Sequence, residues 1–405
     1  MKYIIIIIDG MADYRIAELG GETPLQYAKT PVLDNLAGNS EMGTVKTIPE
    51  GMAPGSDTAN LSVLGYDPKK YNTGRSSLEA VSLGINLSKD DVIFRCNLVT
   101  LSGENNYTDR IMIDYSAGEI PTSQARVLIE YIGSKLQTDN IRFYPGLSYR
   151  NIILWKNGFD KNILTPPHDI LDKKIVDFLP SGPGSSVLLD IMVKSVSLLK
   201  EHTINKKRIK KGLNPANSIW IWGESRKPTL DSFYEKYKIK GSVISAVDLI
   251  KGIGILGGLE VVKVKGATGT IHTNFKGKAD AAIRELSGGK DFVYLHLEAA
   301  DECSHQGNVR DKVKSVEIID KEVMKPIKEA LDRQGTHYRM MILPDHYTPI
   351  SIRTHTSEPV PFMIYDSTNQ TTGKHKRFDE LSARESGLYF KQGYKLLDYF
   401  FKKEV

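Results

Sequence analysis

Two apolar stretches of the chain each end in side chains that can bind a metal ion. Ile4–Ile8 is a run of isoleucines that stops at Asp9, and Met340–Leu343 leads through a proline to Asp345 and His346. Continuous apolar runs of this kind are typical of strands buried on both faces of a sheet. Open α/β sheets bind ligands at the carboxyl ends of their strands. The two strand ends therefore predict a metal site.

A serine stands where a helix is predicted to begin. Ser56 follows the turn Pro54-Gly55 and precedes a segment with helical spacing. One interpretation is an N-cap, because a serine side chain satisfies exposed amides at a helix start. The other is a nucleophile, because a helix N-terminus favours a bound anion and a metal ion can hold serine as an alkoxide. The segment by itself leaves both interpretations open.

An acid and a histidine follow the predicted strand 291–297 with a spacing of four residues. If a helical turn starts there, Asp301 and His305 lie on one face and can chelate a cation. A solvated acid–histidine pair is the alternative. His296 and Glu298, in or just beyond the strand, are assigned structural or supporting roles.

A further histidine, His355, lies in a polar loop that leads into the segment 359–365. The prolines Pro359 and Pro361 predict that this segment is an edge strand, because proline cannot donate to a ladder of hydrogen bonds. A loop histidine alone indicates little. His355 becomes a candidate metal ligand only in combination with the other candidate side chains.

Together these side chains supply enough oxygen and nitrogen ligands for two divalent cations. Mixed ligands of this type suit manganese or zinc better than calcium, and magnesium remains an option. Two neighbouring cations are a recurrent way to hold a phosphoryl group during its displacement. The predicted ligand set is Asp9, Ser56, Asp301, His305, Asp345, His346 and His355.

The composition is that of a globular protein and argues against several classes of partner. The 405 residues carry a formal charge of only +5, with 40% apolar and 25% charged residues, so nucleic acid is not an expected partner. The one dense basic run, 206–211, is interpreted as a solvated helix end or loop rather than a polyanion site. Two cysteines are too few for a disulfide framework and fit a reducing compartment. We expect a cytoplasmic protein without a membrane segment.

Strand-like and helix-like segments alternate along the chain, which predicts an α/β fold. The segment 217–223 is interpreted as the point where the main sheet resumes after a long excursion. We therefore predict a core domain formed by residues 1–92 and 216–405, with a smaller inserted domain at 93–215.

The motifs also carry a family resemblance. The chain resembles the alkaline phosphatase superfamily, and more narrowly its cofactor-independent phosphoglycerate mutases of the archaeal type. The likeness runs nearly end to end, through the segments 9–13, 55–60, 71–75, 94–97, 114–118, 266–269, 301–305, 345–346 and 354–356.

This resemblance implies a fold, a reaction and residue roles. The fold would be an alkaline phosphatase-like core, with a central mostly parallel sheet flanked by helices, plus a smaller inserted α+β domain acting as a substrate-binding lid. Ser56 would become phosphoserine while 3-phosphoglycerate and 2-phosphoglycerate interconvert without a bisphosphoglycerate primer. One cation would be bound by Asp301, His305 and His355. The other would be bound by Asp9, Ser56, Asp345 and His346.

Arginine side chains are expected to bind the carboxylate and phosphate of the substrate, because the guanidinium fork matches planar oxyanions. Each candidate could equally be a structural or surface residue. The candidates are Arg75, Arg95, Arg110 and Arg150, with Asp109 beside them.

Two departures from the better-known mutases keep other functions open. Asp109 is followed by Arg110 and then by isoleucine, where some relatives have a basic pair, and the form of segment 114–118 resembles a bacterial branch proposed to phosphorylate homoserine. The alternatives are a phosphotransferase acting on homoserine or another small alcohol, a phosphatase, and a non-catalytic metal-binding module. The oligomeric state is not indicated by the sequence.

Overall fold

The computed structural model describes residues 1–369 and 376–402. These residues form two compact units, a larger one of Met1–Asn72 with Thr229–Val405 and a smaller one of Thr73–Pro228. In the described residues, no helix combines the length and the apolar character needed to cross a membrane.

The strands of the described chain are numbered in chain order. They are β1 (Lys2–Ile8), β2 (Ser40–Val45), β3 (Val92–Leu101), β4 (Met112–Asp114), β5 (Ile141–Leu147), β6 (Arg150–Trp155), β7 (Ser218–Arg226), β8 (Gly241–Ile244), β9 (Glu260–Val261), β10 (Phe292–Leu297), β11 (Tyr338–Leu343), β12 (Val360–Asp366) and β13 (Tyr389–Phe390).

The α-helices are numbered in the same way. They are α1 (Pro24–Tyr27), α2 (Pro31–Ala37), α3 (Ser56–Val63), α4 (Pro68–Tyr71), α5 (Arg75–Ser82), α6 (Thr122–Leu136), α7 (Ser185–Lys200), α8 (Thr203–Lys210), α9 (Phe233–Tyr237), α10 (Asp248–Leu256), α11 (Phe275–Ser287), α12 (Ala299–His305), α13 (Val309–Ile319), α14 (Lys325–Arg333), α15 (Glu380–Glu385) and α16 (Leu396–Phe400).

The larger unit is built on a mostly parallel sheet. Its strand order is β13-β2-β12-β11-β1-β10-β8-β9, and β1 pairs in parallel with both β11 and β10. The isoleucines of β1 have no exposed surface. The strands β10 and β11 flank them, and apolar side chains of the neighbouring helices and segments cover the sheet. Since β11, β1 and β10 run in the same direction, their carboxyl ends lie along one edge. The residues that follow these three strands are therefore neighbours.

The smaller unit has its own antiparallel sheet and its own core. In this sheet β3 pairs with β6 on one side and β7 on the other, while β5 pairs with β6 and β4 pairs with the end of β3. Apolar side chains of α6 and α7, such as Leu128, Ile132 and Leu188, pack into the core of this unit.

The predicted boundaries at 92/93 and 215/216 differ from the division that the structure shows. The strand β7 was expected to resume the main sheet, but it pairs with β3 in the smaller one. The helix α5 belongs to the same unit, and the backbone amide of Ser77 donates to the Ser225 hydroxyl at 2.7 Å. The excursion ends later than predicted because β7, a partner of β3, lies beyond residue 215. It begins earlier than predicted because α5 packs against β3 and β7.

The prediction of an edge strand at 359–365 is wrong. The strand β12 lies inside the sheet, antiparallel to β11 on one side and to β2 on the other. Its pairing with β11 covers Met363–Asp366, so Pro361 lies beyond that ladder and its missing N–H interrupts no bond to β11.

Candidate active site at the carboxyl edge of the larger sheet

Three carboxylates meet at the edge where β1, β11 and β10 end. Asp9 directly follows β1, Asp345 follows β11 after Pro344, and Asp301 lies on α12, which starts just after β10. Their exposed fractions are 2%, 0% and 6%. The parallel register of the three strands thus brings Asp9 together with two acids that lie 292 and 336 positions further along the chain.

Two histidines lie against Asp301. The Nε2 atom of His305 is 3.1 Å from Asp301 Oδ2, and the Nε2 atom of His355 is 3.4 Å from Asp301 Oδ1. The two Nε2 atoms are 3.0 Å apart, and His305 Nδ1 is 2.9 Å from the carbonyl oxygen of Arg353. The spacing of four residues on α12 therefore produces the predicted pair, and the loop histidine joins it.

Ser56, Asp9 and Asp345 surround the third histidine. His346 Nε2 lies 3.1 Å from Ser56 Oγ, 3.4 Å from Asp345 Oδ2 and 3.7 Å from Asp9 Oδ1. The His346 ring also stacks on the His355 ring, with centroids 3.9 Å apart. The two groups of side chains are therefore parts of one continuous cluster, with His346 between them.

The cluster has the features expected of a site for divalent cations. Two overlapping sets, Asp301–His346–His355 and Asp9–Asp345–His346, each bring three potential ligand atoms within 4.8 Å of one another. Within the described chain, the buried Oδ1 atom of Asp9 has no hydrogen-bond partner. Burial, followed by the charges of Asp345 and Asp301, raises the pKa of Asp9 well above its usual value. An oxygen-rich, electron-donating pocket of this kind is stabilised by cations, so the residues fit metal ions.

Ser56 is not an N-cap. The cap position is Gly55, and Ser56 is the first residue inside α3, with its hydroxyl directed at His346 rather than at a backbone amide of its own helix. The capping interpretation of this serine is therefore wrong. Its hydroxyl instead lies among the candidate ligands.

Three polar side chains support the cluster without having been predicted as ligands. Asn60 Nδ2 donates at 2.8 Å both to Asp345 Oδ2 and to the Ser56 carbonyl oxygen. Thr348 Oγ1 contacts Asp301 and His346. His296 Nε2 is 3.1 Å from Asp9 Oδ2, which agrees with the structural role expected from its position in β10. Asn60 could have been predicted from the sequence, because it follows Ser56 by four residues on one helix and the two side chains therefore lie on the same face.

Two of the predicted substrate-binding arginines lie on one face of the smaller unit's sheet. Arg150 is paired in register with Asn97, two residues from Arg95 on β3. Arg95 forms an ion pair with Glu79, and its guanidinium lies 4.9 Å from the Trp222 ring centroid. Arg150 is exposed, and its guanidinium lies 5.0 Å from the Tyr149 ring centroid.

Arg75 is the first residue of α5, the helix that also carries Glu79, the partner of Arg95. Arg110 and Asp109 are placed elsewhere. Arg110 donates to the carbonyl oxygen of Ser102, just beyond the far end of β3, and the exposed Asp109 accepts from Asn106. Ser102 lies seven positions along the chain from Arg95, and the six residues between them belong to the extended strand β3, so the two are roughly 20 Å apart. Arg110 and Asp109 are therefore not gathered with Arg95 and Arg150.

The larger unit is the predicted mostly parallel α/β sheet flanked by helices, and it places a serine hydroxyl among acids and imidazoles. Two solved structures share this fold. A protein from Pyrococcus horikoshii matches 100% of this chain and 98% of its own at a TM-score of 0.83 and 29% identity. A cofactor-independent phosphoglycerate mutase from Thermoplasma acidophilum matches 99% of both chains at a TM-score of 0.67 and 27% identity.

Sequence comparison gives the family. The family model for 2,3-bisphosphoglycerate-independent phosphoglycerate mutase matches residues 37–205. A Geobacter sulfurreducens protein named as a probable 2,3-bisphosphoglycerate-independent phosphoglycerate mutase is 46% identical over 98% of this chain and 99% of its own. A Methanothrix thermoacetophila protein named as the mutase is 47% identical over 98% of both chains. The chain belongs to the family of 2,3-bisphosphoglycerate-independent phosphoglycerate mutases. The family is metal-dependent, which agrees with the ligand groups described above.

Gly10, which follows Asp9, provides a test of how tightly the site is packed. Its φ is +62°, and a Cβ atom there would lie 2.7 Å from Asp301 Cα, Asp301 Oδ1 and Thr348 Oγ1. Gly10→Ala is therefore expected to lower the free energy of unfolding both by backbone strain and by overpacking. Urea unfolding of metal-free protein, followed by far-ultraviolet circular dichroism, measures the effect.

Gly20→Ala is the matched control, because Gly20 has a φ of +70° but no heavy atom within 4 Å of the added Cβ. Strain alone, about 1–2 kcal/mol, is expected for this control. Gly10→Ala should lose about 1–3 kcal/mol more. Equal losses in the two variants would contradict the close packing of Gly10 against Asp301 and Thr348.

Proposed function

We propose that this protein interconverts 3-phosphoglycerate and 2-phosphoglycerate through a phosphoserine at Ser56, without a bisphosphoglycerate primer. The observation that carries the proposal is the position of the Ser56 hydroxyl, 3.1 Å from His346 Nε2. The same nitrogen lies 3.4 Å from Asp345 Oδ2 and 3.7 Å from Asp9 Oδ1. Membership of the mutase family supplies the substrate class, a small phosphorylated acid.

The reaction balances without an external donor. Ser56 Oγ forms a bond to phosphorus while the ester bond to the substrate oxygen breaks, and the proton lost by the serine balances the proton gained by the leaving oxygen. The neighbouring hydroxyl of the glycerate then takes the phosphoryl group back from Ser56. The product is an isomer of the substrate, so water must be kept from the phosphoserine or the enzyme becomes a phosphatase.

The proposal assigns the cluster to two divalent cations, manganese in the first place, with zinc or magnesium as alternatives. Asp301, His305 and His355 would bind one cation, and Asp9, Ser56, Asp345 and His346 the other. When bound, such cations lower the pKa of a serine hydroxyl and neutralise phosphoryl oxygens. The chain's own contribution is to hold the ligands in place, as Asn60 does for Asp345.

The smaller unit is proposed to act as the substrate-binding lid. Its exposed Arg150 offers a guanidinium for a carboxylate or phosphate, and Arg75, Arg95 and Arg110 remain candidates for the same role. Arg95 is already paired with Glu79, so its binding to substrate would require sharing or exchanging that partner. We place the reaction in glycolysis and the enzyme in the cytoplasm.

The assay that tests the function measures formation of 2-phosphoglycerate from 3-phosphoglycerate by metal-loaded protein, coupled to enolase, with no bisphosphoglycerate added. Turnover is expected for the wild type. Ser56→Ala is expected to lose essentially all of it, because the hydroxyl proposed to accept the phosphoryl group is removed. Ser287→Ala, which removes an exposed hydroxyl from α11, should retain wild-type turnover.

Two results would contradict the proposal. One is a Ser56→Ala variant that keeps a near wild-type rate. The other is a wild type that releases inorganic phosphate without isomerisation, which would indicate a phosphatase, or that phosphorylates homoserine from a donor while leaving 3-phosphoglycerate unchanged.

Arg150 generates a second prediction. Arg150→Leu is expected to raise KM for 3-phosphoglycerate by about 10- to 100-fold, because a hydrogen bond to a charged group contributes about 1.5–3 kcal/mol. Arg126→Leu is the control, since Arg126 is an exposed arginine of α6 in the same unit, paired with Glu130. Steady-state kinetics of both variants gives the KM for 3-phosphoglycerate, which should rise only in Arg150→Leu. An unchanged KM in Arg150→Leu would remove this residue from the substrate site.

A further inference from the structure

Thr348 makes two hydrogen bonds that join the two groups of candidate ligands. Its Oγ1 atom is 2.6 Å from Asp301 Oδ1 and 3.1 Å from His346 Nδ1. Asp301 belongs to the group with His305 and His355, whereas His346 belongs to the group with Ser56. A single hydroxyl therefore contacts one member of each group.

The direction of these two bonds follows from the number of protons. An ionised Asp301 carboxylate can only accept, so the Thr348 hydroxyl donates its one proton to Asp301 Oδ1. The same oxygen must then accept from His346, which requires the proton of the neutral imidazole to be on Nδ1. The lone pair of the imidazole is consequently on Nε2, the atom that faces Ser56.

Thr348 is itself held firmly. It has no exposed surface, its backbone amide donates to the Ala12 carbonyl oxygen at 3.3 Å, and its own carbonyl oxygen accepts from Lys312 Nζ at 3.0 Å. Lys312 is fully buried and is paired with Asp13 at 2.7 Å. The loop after β1 and the loop after β11 are thus joined at Thr348, so its hydroxyl is fixed before any ligand arrives.

We propose that Thr348 is a positioning residue whose hydroxyl orients Asp301 and His346 together and thereby couples the two cation groups. This inference rests on the proposed function, because it takes both groups as cation sites. Partners that orient metal ligands contribute about 10- to 100-fold to metal affinity. Since Thr348 contacts both groups, loss of its hydroxyl is expected to lower the affinity of the protein for both cations rather than for one.

The test is calorimetric titration of Mn²⁺ into metal-free wild type, Thr348→Val and Thr348→Ser. Valine keeps the volume of threonine but has no hydroxyl, and serine keeps the hydroxyl. Thr348→Val is expected to weaken both Mn²⁺ binding steps by about 10- to 100-fold. Thr348→Ser should restore them to within a few-fold of the wild type. The visible spectrum of the Co²⁺-loaded proteins should change in the valine variant and return in the serine variant.

Thr23→Val is the matched control, because the Thr23 hydroxyl also donates to a buried carboxylate, that of Glu380, at 2.7 Å. It should keep wild-type Mn²⁺ affinity. Wild-type affinity in Thr348→Val, or weakening of a single Mn²⁺ step, would overturn the inference. A wild type that binds none of Mn²⁺, Zn²⁺ and Mg²⁺ would instead refute the proposed function, so the two failures are distinguishable.

Discussion

Three buried carboxylates at one edge of the larger sheet repel one another, and the surrounding structure is arranged to compensate for that repulsion. Asp9, Asp301 and Asp345 are brought together by the parallel strands β1, β10 and β11, and burial deprives them of water. Uncompensated charges in such a position would strongly destabilise the fold. The imidazoles, the Asn60 amide and the Thr348 hydroxyl supply part of the compensation, and cations would supply the rest.

The pKa values of the cluster reflect this balance. Burial would raise the pKa of Asp301, but hydrogen bonds from His305 and His355 outweigh it and hold the pKa well below its usual value. Asp9 has no comparable set of donors, and its pKa is raised. Burial would likewise raise the pKa of Asp345, but the charge of His346 helps to hold that pKa below its usual value. The ionised form of Asp9 is therefore the least compensated of the three, and a cation bound beside it would stabilise that form.

The sequence was sufficient to predict most of this edge, for a physical reason. Strands buried on both faces have an unmistakable apolar pattern. A buried acid at the end of such a run lowers the stability of the fold, so its presence there indicates a function. The strands β1 and β11 were found in this way, and Asp301 with His305 from the spacing of a helical turn. The convergence of these segments depends on the order of strands in the sheet, which the resemblance to a family supplied and local pattern did not.

Other features could not be read from the sequence because they depend on long-range pairing. The strand β7 has the same apolar pattern whichever sheet it joins, so its partner β3 was missed and the boundaries were displaced. Pro361 is tolerated inside the sheet because the ladder of hydrogen bonds between β12 and β11 ends before it. In the basic run 206–211, Arg208 is buried and donates to carbonyl oxygens of Asn214 and Ala117, which charge counting does not indicate.

We propose that side chains from both ends of the chain hold two cations beside a serine hydroxyl. The most direct measurement is anomalous diffraction at the manganese absorption edge from crystals of the wild type grown with Mn²⁺. We expect two peaks, one among Asp301, His305 and His355 and one among Asp9, Ser56, Asp345 and His346. Peaks elsewhere with no density beside Ser56, or no peak in this cluster, would contradict it.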